Sequence, residues 1–215
     1  DNACILNPTG SGNITFTGAL NNSASSAIIA QTGTGAIIAS AGISNAGTIS
    51  QGSGTIGSIT VTGNLTNTGT ITQGTGNISV SADLSNSGTL TLGSANLTVT
   101  GNYSNSGSYT QSTGTTLFNG SSAQNIQGVS GSGTKFNVVN FSGSGAKTMT
   151  SGNFSVSSSG VLTMIGSSSL ASNGFLTLNS DASGSAIVAA LPAGASISGN
   201  VNVQRFIKGS NSGTV

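Results

Sequence analysis

The residues able to do chemistry in this chain are few and widely scattered. Its acids are Asp1, Asp83 and Asp181, it has no histidine, and its cations are Lys135, Lys147, Arg205 and Lys208. Acid–base catalysis by paired carboxylates needs two acids to converge on one bond, and their placement along a repetitive chain argues against that. A side-chain metal site lacks ligands, and the abundant serines have no histidine or suitably placed lysine to activate them. No enzyme, cofactor or metal is therefore expected. The cations all lie in the C-terminal part and read as solubility and edge protection, with ligand binding as the alternative.

Cys4 is the only cysteine, so the fold must hold without an internal disulfide. It reads as a small buried apolar residue in an N-terminal cap, or as a thiol for a bond to another chain. The N-x-S/T sequons at Asn13, Asn64, Asn77, Asn96, Asn102 and Asn153 read as chance matches in a chain so rich in Asn, Ser and Thr. Only 34% of residues are hydrophobic and 3% are charged, with a formal net charge of +1. Disordered chains of low hydrophobicity carry more charge than this. So weak a charge gives no reason to expect nucleic acid as a partner. No apolar run approaches the roughly 20 residues that span a bilayer, and the absence of a secretory signal peptide fits a mature, processed chain or a fragment.

What positions these residues is a repeat. "AGISNAGTI" (Ala41–Ile49), "GNLTNTGTI" (Gly63–Ile71), "ADLSNSGTL" (Ala82–Leu90) and "GNYSNSGSY" (Gly101–Tyr109) are variants of one phrase, and the units Ser58–Gly76, Asn77–Ala95 and Asn96–Gly114 follow one another at 19 residues. Thr115–Gly133 and Thr134–Gly152 keep that length without the phrase. Fixed periods of this kind mark solenoids. Within a unit, apolar residues alternate with hydroxyl residues (Ile59, Val61, Leu65 with Thr60 and Thr62 between) and Gly or Asn breaks each run, the pattern of short half-buried strands.

The expected fold is all-β: a single-chain parallel β-solenoid (β-helix), taken as right-handed, with coils of about 19 residues stacked about 4.8 Å apart. Residues 1–12 are expected to form a cap or extension, 13–152 regular coils, 153–207 irregular coils and 208–215 a tail or linker. Stacking would place Ile59 over Ile78 over Leu97, Leu65 over Leu84 over Tyr103, and Ile49, Ile71, Leu90 and Tyr109 in one inward column. Asn45, Asn67, Asn86 and Asn105 should align as an amide ladder. Gly47, Gly69, Gly88 and Gly107, two residues on, are expected to turn corners at positive φ. Thr15/Thr17, Thr60/Thr62, Ser79/Ser81 and Thr98/Thr100 would make paired outward columns. Thr70/Thr72, Thr89/Thr91 and Ser108/Thr110 would make another such array.

At "TTLFNGSSAQNIQG" (Thr115–Gly128) and "ISGNVNVQRFI" (Ile197–Ile207) the chain resembles Bacteroidota surface proteins exported by type IX secretion, which carry Gly/Ser/Thr/Asn-rich β-helical repeats. The resemblance implies an extracellular or cell-surface location and a structural or adhesive role. The C-terminal sorting domain of that family has no counterpart in these residues. The leading expectation is a secreted structural protein, a solenoid subunit of an extracellular fibre or surface layer that partners itself end to end. An adhesin stalk or passenger module binding glycans or surfaces is the alternative, and ice binding is less favoured because hydroxyl arrays appear on more than one face.

Overall fold

Runs of three or four residues that alternate an aliphatic with a hydroxyl side chain make strands too short to stand alone, so each must find its backbone partner in the next copy of itself. The computed structural model, which describes residues 5–52, 57–129 and 133–208, shows that outcome. The fold is all-β, with parallel strands stacked as a β-solenoid of about 9 turns at roughly 22 residues per turn. Cys4, Asp1 and the residues beyond Lys208 lie outside the described residues.

Three parallel sheets enclose the core. The first face carries Ile59–Val61, Ile78–Val80 and Leu97–Val99, in register at Ile59, Ile78 and Leu97. On the second face Leu65 pairs with Leu84 and Leu84 with Tyr103. On the third, Ile49, Ile71, Leu90 and Tyr109 form one column. All of these side chains are buried. Fully burying one such aliphatic side chain contributes about 1.5–3 kcal/mol, so each added turn brings its own share of the core.

The 19-residue spacing holds only through the central turns. From Thr116 to Val139, and again from Val139 to Leu162, partners on the first face are 23 residues apart. The units Thr115–Gly133 and Thr134–Gly152 are thus not 19-residue coils, and the lengthening begins ahead of Asn153. Here two corners vanish: the long strands Thr134–Phe141 and Phe154–Met164 continue through the junction of the third and first faces, the second with a bulge. A wider section needs larger side chains to fill it. Tyr103, Tyr109, Phe118, Phe136, Phe141 and Phe154 supply them, joined by edge-on and stacked ring pairs 5.5–6.5 Å apart. Such pairs add ~0.5–1.5 kcal/mol each beyond area burial. Burial pushes both Tyr103 and Tyr109 phenols above their ordinary value, opposed by hydrogen bonds to Thr134 and Thr116.

Candidate functional site

A flat triangular coil has corners where backbone groups lose their sheet partners, and buried ones must be satisfied. Each corner does this differently. Between the second and third faces runs an internal amide ladder. Asn45 Nδ2 donates to Asn67 Oδ1, Asn67 to Asn86 and Asn86 to Asn105, each at 2.7 Å. Asn22, 23 residues before Asn45, adds a rung that the shorter period hides, donating to Asn45 Oδ1 at 2.7 Å. Each amide also serves the corner backbone: Asn86 Nδ2 reaches Gly88 O at 3.3 Å and Ser108 O at 3.0 Å. The ladder ends where Asn105 donates to Thr134 Oγ1.

The glycines beside this ladder do not have the backbone expected of them. Among the described residues every positive-φ glycine is Gly143 or later, so Gly47, Gly69, Gly88 and Gly107 are not among them. Their requirement is steric. A Cβ on Gly69 would lie under 3.0 Å from the Gly47 carbonyl, and Gly88 and Gly107 stand in the same relation to Gly69 and Gly88. The turns approach so closely at this corner that only hydrogen fits between them.

The corner between the third and first faces is closed by glutamines, which the sequence reading overlooked. Gln31, Gln73 and Gln111 donate to the carbonyls of Gly12, Gly57 and Ala95 at 2.8, 2.7 and 3.1 Å. Gln51 likewise reaches Gly35 O. A signal was present, since Gln51, Gln73 and Gln111 each follow a ladder asparagine by six residues.

Exposed asparagines clamp successive turns from outside. Asn13, Asn77 and Asn96 accept the backbone N–H of Ala36, Asn96 and Thr115. Asn64, Asp83 and Asn102 accept those of Asp83, Asn102 and Asn125. The sequon asparagines Asn13, Asn64, Asn77, Asn96 and Asn102 therefore have a structural use, and Asp83 is an acid in an asparagine's place.

Lys147 departs from the surface role expected of it. It is fully buried, and its Nζ donates to the carbonyls of Gly120, Gly143 and Gly145 at 2.9, 3.2 and 2.6 Å. Burial holds its pKa below the ordinary lysine value. Lys135, Arg205 and Lys208 are exposed. Asp181 is held down to about 2 by hydrogen bonds from Ser158 and Ser183. It lies four turns from Asp83, at about 4.8 Å per turn, so the two carboxylates share no site. Among the described residues no three His, Cys, Asp or Glu side chains gather, and no helix is long and apolar enough to cross a membrane.

Both members of the hydroxyl pairs lie within strands on one face. Thr48, Thr70, Thr89 and Ser108 align on the third face, beside Ser50, Thr72, Thr91 and Thr110. On the first face Thr15, Thr60, Ser79 and Thr98 lie within strands, and Thr17, Thr62, Ser81 and Thr100 fall one residue past the strand ends, where the backbone N–H groups of Thr62, Ser81 and Thr100 still bond the preceding turn.

The remaining surfaces of interest are the terminal layers and one polar groove. Ile14–Phe16 and Leu20–Asn22 at one end, and Ser196–Ser198 and Val201–Val203 at the other, each have one strand partner among the described residues. Ile5, Val203 and Ile207 are 67, 72 and 75% exposed there. The groove lies beside Lys135, where the third-face ladder is interrupted. The chain matches no protein-family model, and neither a curated protein nor a solved structure is significantly similar to it.

Proposed function

We propose that this repeat protein is a secreted structural protein whose solenoid builds an extracellular fibre or surface layer by stacking end to end. The observation that carries the reading is the state of its terminal layers. Among the described residues the parallel ladders end at strands paired on one side only, with exposed aliphatic residues beside them. Open, flat strand edges template further strands unless charge, proline or a covering element blunts them. No charged residue occurs between Ile5 and Ala82, and Pro8 falls past strand Ile5–Leu6, so the strands Ile14–Phe16 and Leu20–Asn22 carry neither charge nor proline. Arg205 and Lys208 stand only at the opposite end.

A contact between unlike ends is heterologous and does not close, which makes filaments rather than rings. The N-terminal strands of one copy would continue the first and second faces of another. Secretion and a surface location are supported by the resemblance carried by Thr115–Gly128 and Ile197–Ile207. Electron microscopy and fibre diffraction of concentrated protein test the proposal. Filaments with an axial spacing of about 4.8 Å are expected, and a monodisperse monomer at high concentration would count against it.

A further inference from the structure

Where the third face meets the first, the monotony of the solenoid is broken by the backbone itself rather than by a longer corner. Strand Ser108–Gln111 is the last of the third-face sheet, and no ladder joins it to Thr134–Phe141 in the layer above. The layers are held there by rings instead, with Phe136 edge-on to Tyr109 at 6.0 Å. One layer further, Phe136 pairs with Val156 and Val138 with Val161, so Ser157–Gly160 bulges out opposite the single residue Asn137. Bulges re-aim side chains and gather beside functional sites. This one is braced from behind, where Ser158 Oγ donates to Asp181 Oδ2 at 2.6 Å.

Between the interrupted ladder and the bulge lies a groove of ≈ 220 Å³, lined by Gln111, Ser112, Lys135, Asn137, Ser157 and Ser159 over a floor formed by Phe136. Its side chains are hydroxyls, amides and one ammonium. Gln111 is committed to Ala95 and Thr116, and Asn137 Oδ1 receives only a long bond from Ser157 at 3.4 Å. Lys135, Ser112 and Ser159 make no side-chain hydrogen bond among the described residues. The nearby acid, Asp181, is turned toward Ser158 and Ser183. The groove thus offers donors, acceptors and one unopposed positive charge, in a volume below the ~300–1,000 Å³ of drug-sized sites.

We propose that this groove binds a single anionic sugar unit of an acidic polysaccharide. The acidic group sits against Lys135, and the ring hydroxyls exchange hydrogen bonds with Asn137, Ser157 and Ser159. Carboxylate and sulfate share the chemistry that an ammonium recognises. The site lies on the flank of the solenoid, away from both terminal layers, so it operates in a monomer and in a filament alike.

Calorimetric or NMR titration of the whole chain with tetragalacturonate, a sulfated disaccharide and cellotetraose tests this. Either acidic ligand, or both, should bind, and cellotetraose should bind at least about tenfold more weakly, the scale of one charge-assisted contact. Lys135→Gln should bring the acidic ligand to the neutral level, and added salt should weaken the wild-type interaction. Lys208→Gln, an exposed lysine elsewhere, should leave it unchanged. Because Lys135 is exposed and unbonded, the Gln variant should keep its unfolding curve. Absence of binding to both acidic ligands, equal binding of the neutral one, or equal loss in the two lysine variants would overturn the proposal.

Discussion

Replacing Asn86 by alanine tests the idea that each turn templates the next through its amide. Asn86 accepts from Asn67 Nδ2 and donates to Asn105 Oδ1, both at 2.7 Å, and it is 1% exposed. Alanine leaves the Asn105 acceptor buried and unpaired, at about 1–3 kcal/mol, and removes further bonds worth ~0.5–1.5 kcal/mol each. Asn67 is partly rescued, since it keeps Gly69 O and Thr89 O. The expected loss is about 2–4 kcal/mol, or roughly 6–12 °C in Tm at its midpoint for a chain of this size. Urea titration with hydrogen exchange across the ladder measures it, the second probe being needed because repeat arrays lose two-state cooperativity.

The neighbour Ser85 faces outward on the same strand, and Ser85→Ala should stay within about 0.5 kcal/mol. Asn86→Asp adds a sign test. A buried carboxylate facing Asn105 Oδ1 has its folded pKa raised above the unfolded value. The variant is then most stable below the ordinary carboxylate range and loses stability as pH rises through the raised pKa. If Asn86→Ala costs no more than Ser85→Ala, the ladder is decoration and the reasoning fails.

Other expectations follow from the same geometry. Gly69→Ala should prevent native stacking, detected as lost hydrogen-exchange protection over the central turns, because its Cβ meets the Gly47 carbonyl. Gly166→Ala, with φ 62° and open space around it, should cost only about 1 kcal/mol in denaturant titration. In alkali, the raised Tyr103 and Tyr109 phenols mean that the unfolded chain releases its protons first, so stability falls as pH rises above about 10. Tyr103→Phe with Tyr109→Phe should flatten that fall. The lowered Lys147 works in the opposite sense, stability rising with pH up to the ordinary lysine value, and Lys147→Met should abolish that rise. A thermal-hysteresis assay should give none, because the third-face hydroxyl array ends after four rows, where Lys135 and Asn137 flank the inward Phe136 in place of hydroxyl residues.

Spacing alone determined the fold class, the three inward columns and the positions of the ladder from Asn45 to Asn105. A parallel stack maps sequence period directly onto space, so residues 19 apart become neighbours without any tertiary information. Asn22 escaped because its turn is longer, and the glutamine corners were legible but unread. Other features were decided only by the assembled coil. Whether Gly69 is required for dihedral freedom or for closeness depends on how near the next backbone comes, which no local pattern encodes. Lys147 looks like any surface lysine until the lengthened turns carry it inward among the carbonyls of Gly120, Gly143 and Gly145. The groove at Lys135 arises from two layers that fail to pair, and a failure of pairing leaves no period to read. Repetition is visible in one dimension because it is local. Where the turns change size, contacts depend on the whole cross-section, and there the tertiary structure decides.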